Sequence, residues 1–133
     1  MAKEIICLDT SILIDFFRKK KKENTVFYKL TLTYQIFAVS VITEYEIFSG
    51  STTDQLGFWE SFFSQISVLP FDSETDAFAV KIFKQLKARN KLIDIPDILI
   101  AATAVKNNMK LATINRKHFD RVGDLELVDI TVS

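Results

Sequence analysis

The stretch EIICLDTSILIDFF, residues 4–17, carries four apolar residues into one carboxylate, Asp9, and then returns to a largely apolar run. Ile5, Ile6, Cys7 and Leu8 are apolar on both faces, the pattern of a central parallel strand covered by helices on either side. The Asp-Thr-Ser triplet that follows reads as a helix start, since all three residue types cap well. A negative charge there also gains about 0.3–1 kcal/mol from the helix dipole. Capping accounts for a single acid. Ligands of open α/β sheets, however, collect beyond the carboxyl ends of the strands, which makes Asp9 the first candidate for a group of acids meeting at one point.

The same two-faced apolarity recurs at IFAVS (36–40), ISVLP (66–70) and KLATI (110–114), while LELVDI (125–130) alternates and reads as an edge strand. Helical periods separate these runs. They cover 11–18, 23–32, 42–49 with Gly50 as a C′ residue, 53–65, 73–89 and 96–106. Helix 53–65 carries Leu56, Trp59, Phe62 and Phe63 at three- and four-residue spacing. Helix 73–89 opens on Ser73 and Asp76 as a capping box, and helix 96–106 has Pro96 in its first turn, where proline is tolerated. Strands alternating with helices predict an α/β sandwich around a parallel sheet, in one domain spanning 1–133.

Hydrophobic residues make up 48% and charged residues 26%, a globular rather than disordered balance. Seventeen basic residues offset seventeen acidic ones, so the molecule as a whole is no polyanion binder. Affinity for nucleic acid would rest on local patches, RKKKK at 18–22 or NRKHFDR at 115–121. The first run reads at least as well as a solvated helix C-terminus. Cys7 has no second cysteine to pair with and lies in the first apolar run, as a buried thiol of the reducing cytosol would. No apolar run approaches the ~18 residues that span a bilayer, and the first residues lack a signal-peptide layout. The expectation is a cytoplasmic protein with no membrane partner.

More acids follow the later strands. ITEYEIFSG (42–50) offers Glu44 and Glu46, which lie on different helix faces; local spacing does not choose between them. IDIPDILIAATAV (93–105) places Asp94 before a helix and Asp97 in its first turn, ahead of an apolar surface of small residues. ATINRKHF (112–119) supplies Thr113, Asn115, Arg116 and His118 at another strand end. Carboxylates within ~4–6 Å raise one another's pKa unless a cation sits among them. Mg²⁺ accepts few carboxylates, keeps its waters and binds phosphate; Mn²⁺ suits the same oxygens. Such a site suits phosphodiester hydrolysis.

LDTSILID (8–15), ITEYEIFSG, PDILIAATAV (96–105) and LATINRKHF (111–119) together resemble the PIN-domain family, and within it the VapC-type ribonuclease toxins of toxin–antitoxin systems. They occur in the family's order and cover nearly the whole chain. The resemblance implies a three-layer α/β/α sandwich, a central parallel sheet of four to five strands, and Mg²⁺- or Mn²⁺-dependent cleavage of RNA. By the same resemblance, Asp9, Glu46 and Asp97 match the family's acids as catalytic and metal-binding residues, with Glu44 left as an accessory surface acid. Asn115 stands at a fourth position where many members carry Asp, so one negative charge is missing. Asp94 is a lesser candidate for a second metal. Thr10, Ser11, Thr113 and Arg116 are candidates for polar or phosphate support, and His118 for a phosphate contact. Implied partners are an RNA substrate, a cognate antitoxin and a second copy of the chain. Phe16, Phe17, Phe58, Trp59, Phe62 and Phe63 are chiefly core residues, some of them candidates for an antitoxin groove or dimer seam.

Rival enzymes fail on named residues. A receiver domain needs an acid pair after the first strand, but Thr10 and Ser11 follow Asp9. A haloacid-dehalogenase-like phosphatase needs a second Asp at position 11, and a dinucleotide binder needs a glycine-rich first turn. The rival that survives is a PIN-like RNA-binding or scaffold module, weakly active or inactive because of Asn115.

Overall fold

The structure, a computed structural model, describes residues 3–130. Four parallel strands form one sheet: β1 (Ile5–Leu8), β2 (Ile36–Ser40), β3 (Ser67–Leu69) and β4 (Lys110–Ala112), in the order β3-β2-β1-β4. The register places Cys7 of β1 opposite Ala38 of β2 and Leu111 of β4. Helices α1 (Thr10–Arg18), α2 (Val26–Thr31), α3 (Val41–Ser49), α4 (Leu56–Ser64), α5 (Ser73–Ala88), α6 (Ile95–Lys106) and α7 (Arg116–Phe119) complete the α/β fold.

Alternation along β1 decides which helices cover which face. Cys7 points into a core shared with α5, α6 and Phe119, whereas Ile6 and Leu8 point into a second core with α1, α2 and α4. Both cores are dry, and burial pushes the Cys7 thiol up to about 12, with help from the nearby Asp9 charge. Ala101, Ala102 and Ala104 are fully buried, so α6 can lie close against its neighbours. The other core is aromatic. Phe16, Phe17, Phe27, Trp59 and Phe62 pack at centroid distances of 5.2–6.2 Å, among them Phe16–Phe27 at 5.2 Å and Phe17–Trp59 at 5.3 Å. Trp59 and Phe63 are buried, while Phe58 is 41% exposed.

Several expectations need correction. The segment 125–130 does not form a fifth strand. It makes one parallel bridge, Leu111 to Leu127, with Leu111 N donating to Glu126 O (3.0 Å) and Val128 N to Leu111 O (2.9 Å). The next acceptor along the ladder, Val128 O, takes a hydrogen bond from Arg116 Nη1 instead (2.7 Å). Helices 23–32 and 53–65 each begin as a separate 3-10 turn, Lys22–Asn24 and Thr53–Gln55. The cap of α5 is Asp72, not Ser73: its Oδ1 accepts from Thr75 N and Thr75 Oγ1, both 2.9 Å. Gly50 closes α3 with φ −91°, so no left-handed residue is required there. The left-handed positions are Asn90 and Asn108, both at φ 54°.

The basic run 18–22 acts mostly locally. Lys19 pairs with Asp15 (2.8 Å), and Lys22 Nζ donates to Phe16 O, Phe17 O and Lys19 O at the end of α1.

Candidate active site

Asp9 leaves β1 between β2 and β4, its N–H donating to Ala112 O (2.9 Å), and becomes the N-cap of α1. The side chain is 4% exposed, so the carboxylate must be satisfied by protein donors. Ser11 Oγ and Thr113 Oγ1 each donate to Oδ2 at 2.7 Å, with Ser11 N at 3.4 Å. All three bonds go to Oδ2. They fix the carboxylate plane and do not engage Oδ1. Thr113 also accepts from Asn115 N (2.9 Å), which ties the turn after β4 to the end of β1.

A second group lies at the start of α3. Thr10 Oγ1 lies 2.7 Å from Glu46 Oε1 and 3.0 Å from Thr43 Oγ1. Glu46, rather than Glu44, is therefore the acid of α3 that reaches the residue next to Asp9. Below it the hydroxyls of Ser40, Thr43 and Thr103 are fully buried; Ser40 caps α3 through Ile42 N (3.0 Å), and Thr103 Oγ1 bonds Leu99 O (2.9 Å).

The third group comes from α6 and α7. Asp97, in the first turn of α6, has its Oδ2 3.3 Å from His118 Nδ1, and that nitrogen is 2.8 Å from Asn115 Nδ2. The Asp97 side chain is 18% exposed. Burial raises its carboxyl above the ordinary range, and the charges of Asp9 and Asp94 push the same way; the hydrogen bond and charge of His118 oppose them. Asp94 is exposed and precedes α6 without a side-chain cap bond. Asp9 and Asp97 thus feel each other's charge at the carboxyl edge of the sheet.

Residues 6–125 match the sequence profile of the PIN domain. The chain belongs to the PIN-domain family. Its relatives include ribonuclease VapC1 of Methanocaldococcus jannaschii, 35% identical over 123 residues that span 92% of this chain and 84% of the relative. The tRNA(fMet)-specific endonuclease VapC of Shigella flexneri is 29% identical, over 92% of this chain and 95% of the relative. Among solved structures, VapBC-1 of nontypeable Haemophilus influenzae superposes with TM-score 0.81 at 26% identity, covering 96% of this chain and 99% of that one. The DNA-bound VapBC of Salmonella typhimurium gives TM-score 0.84 at 22% identity, covering 96% and 98%, and supports the fold.

In this PIN domain the donors fit a hard divalent cation in kind. They are carboxylate oxygens, one fully and one mostly buried, whose mutual repulsion a cation would relieve. They are not assembled as a three-acid cluster: among the described residues no three His, Cys, Asp or Glu side chains are placed to hold a metal. Glu46 is instead bonded to Thr10. Arg116 is tied to Val128 O, and Arg121 Nη1 to Leu92 O (2.9 Å), so both guanidinium groups of the second basic run brace backbone carbonyls. His118 was read from sequence as a phosphate contact; its observed partners are Asn115 and Asp97.

Two concavities flank the site differently. One of about 430 Å³ is lined by Ile14, Phe17, Arg18, Glu46, Gln55 and Trp59 among others, and so opens beside Glu46. Another of about 590 Å³ lies at the opposite, amino edge of the sheet. There Lys110 is already paired with Glu4 (3.2 Å) and Glu126 (3.3 Å), which gives the larger hollow no free catalytic group of that kind. Among the described residues no helix is long and apolar enough to cross a membrane.

Proposed function

We propose that this PIN domain is a metal-dependent endoribonuclease, the toxin of a VapBC-type pair. The observation that carries the reading is the coupling of Asp9 and Asp97: two shielded acids raised against each other at the carboxyl edge of the sheet. Relatives named as VapC ribonucleases support the substrate class. Asp9, Asp97 and Glu46 are the residues that would hold Mg²⁺ or Mn²⁺, with Asn115 as a neutral fourth ligand and Asp94 at the margin. When bound, the ion supplies Lewis-acid polarisation of a phosphoryl oxygen and a water made more acidic.

The chain's own residues do the remaining work. Ser11 and Thr113 hold the Asp9 carboxylate in one orientation through Oδ2, leaving the other oxygen to face the site. Thr10 keeps Glu46 close to Asp9 by a single hydroxyl bond, which a rotation about one torsion releases. Burial of Asp9 and the hydroxyls beneath it excludes competing water from the back of the site.

VapBC complexes among the structural relatives support a cognate antitoxin as partner. The hollow beside Glu46, with apolar walls from Ile14, Phe17 and Trp59, suits an antitoxin side chain reaching the acids. A homodimer follows from the family resemblance alone.

The test is cleavage of a structured RNA by the purified chain with Mg²⁺ or Mn²⁺. The expected result is endonucleolytic products that vanish with EDTA, with Asp9→Asn and with Asp97→Asn, each substitution lowering the rate by at least about 100-fold. RNA that binds but is not cut, with native protein and metal present, favours the non-catalytic module that Asn115 makes the runner-up.

A further inference from the structure

Asn115 and His118 stand three residues apart around the short helix α7, and their side chains meet at 2.8 Å between Nδ2 and Nδ1. Asp97 Oδ2 lies 3.3 Å from the same ring nitrogen. A neutral ring nitrogen either carries a hydrogen and donates or carries a lone pair and accepts. The amide NH₂ requires the lone pair; the carboxylate requires the hydrogen. The shorter contact belongs to the amide. With Nδ1 accepting, the NH₂ end of Asn115 is held to the ring and its carbonyl oxygen is turned away from it. That choice matters only for an amide, because its two ends differ chemically and only the oxygen ligates a hard cation. A carboxylate at the same position has two equivalent oxygens and needs no such guidance.

We propose that His118 is a positioning residue that orients the Asn115 amide, so that Oδ1 rather than Nδ2 is offered to a divalent cation shared with Asp97. The proposal rests on the metal-dependent reading of the site given above. It also explains how this chain keeps a usable fourth ligand without a fourth negative charge: the imidazole supplies the orientation that a carboxylate would have by symmetry. Metal ligands commonly depend on such outer partners, whose loss weakens metal affinity by about 10–100-fold.

The test is a double-mutant cycle read by calorimetric titration of Mn²⁺ into the chelator-treated full chain. The four proteins are native, His118→Ala, Asn115→Asp and the combination. His118→Ala is expected to weaken Mn²⁺ binding by at least about 10-fold in the native background. In the Asn115→Asp background the same substitution should change it by no more than about two-fold, within the error of independent sites. A merely structural histidine would matter equally in both. Equal losses in the two backgrounds, or no loss in either, overturn the proposal while leaving the nuclease reading standing. A folded native chain that binds no Mn²⁺ overturns both. Metal-free melting curves establish that each variant is folded; should His118→Ala fail there, His118→Phe keeps the ring volume, removes the nitrogen and carries the same expectations.

Discussion

At the residue scale, the site joins one well-satisfied acid to one poorly satisfied one. Asp9 has three donors on Oδ2, whereas Asp97 has one weak contact to His118 and two acids acting against it. An acid whose folded pKa lies above its unfolded value makes the folded state bind more protons across the interval between the two. Stability contributed by that group is therefore present at low pH and declines as pH rises through the interval. Asp97→Asn removes this decline. In urea unfolding with chelator present, the variant should gain on the native chain as pH is raised from about 4 to about 7. A gap that stays flat, or moves in favour of the native chain, contradicts the assigned repulsion.

At the element scale, α5 and α6 end alike. Each has an asparagine in the left-handed region, with Lys91 N bonding Leu86 O and Asn90 N bonding Lys87 O after α5, and Met109 N bonding Ala104 O and Asn108 N bonding Val105 O after α6. This is the Schellman pattern with Asn in the place glycine usually takes. Asn90→Ala or Asn108→Ala should cost about 1–2 kcal/mol by chemical denaturation, and the glycine variants should be neutral or slightly stabilising. Alanine variants as stable as the native chain would argue against the left-handed assignment. The sequence reading had placed such a terminator at Gly50, because glycine is the usual signal, and had no means of seeing that a shared 5→2 and 6→1 bond pattern would recruit Asn. The four strands were legible because residues covered by helices on both sides must be apolar on both faces. The 3-10 turns and α7 were not, since three or four residues carry no periodicity. The bridge at Leu127 fell short of a strand because Arg116, distant from Val128 in the helical pattern, takes its carbonyl.

At the scale of the whole molecule, zero net charge conceals a division between the two edges of the sheet. At the amino edge Lys110 bridges Glu4 and Glu126; at the carboxyl edge Asp9 and Asp97 face each other with His118 between α6 and α7. Residue types and strand order were enough to nominate Asp9 and Asp97, since topology alone carries both to one edge. They could not choose Glu46 over Glu44, a choice that needed the motif and that the Thr10 contact now accompanies. Nor could they show that Glu46 would be bonded to a hydroxyl instead of standing with the other two acids, or that Asn115 and His118 would meet, because both depend on side-chain torsions. A divalent ion that binds only the folded chain should also raise the melting temperature, by the equivalent of about 2.7 kcal/mol at a hundred times its Kd.

The most direct measurement is anomalous diffraction from crystals of the chain soaked in Mn²⁺. The account predicts a manganese peak ligated at about 2.0–2.3 Å by carboxylate oxygens of both Asp9 and Asp97. A peak only at the Glu4–Lys110–Glu126 edge, or none at the Asp9–Asp97 pair under saturating metal, would contradict it.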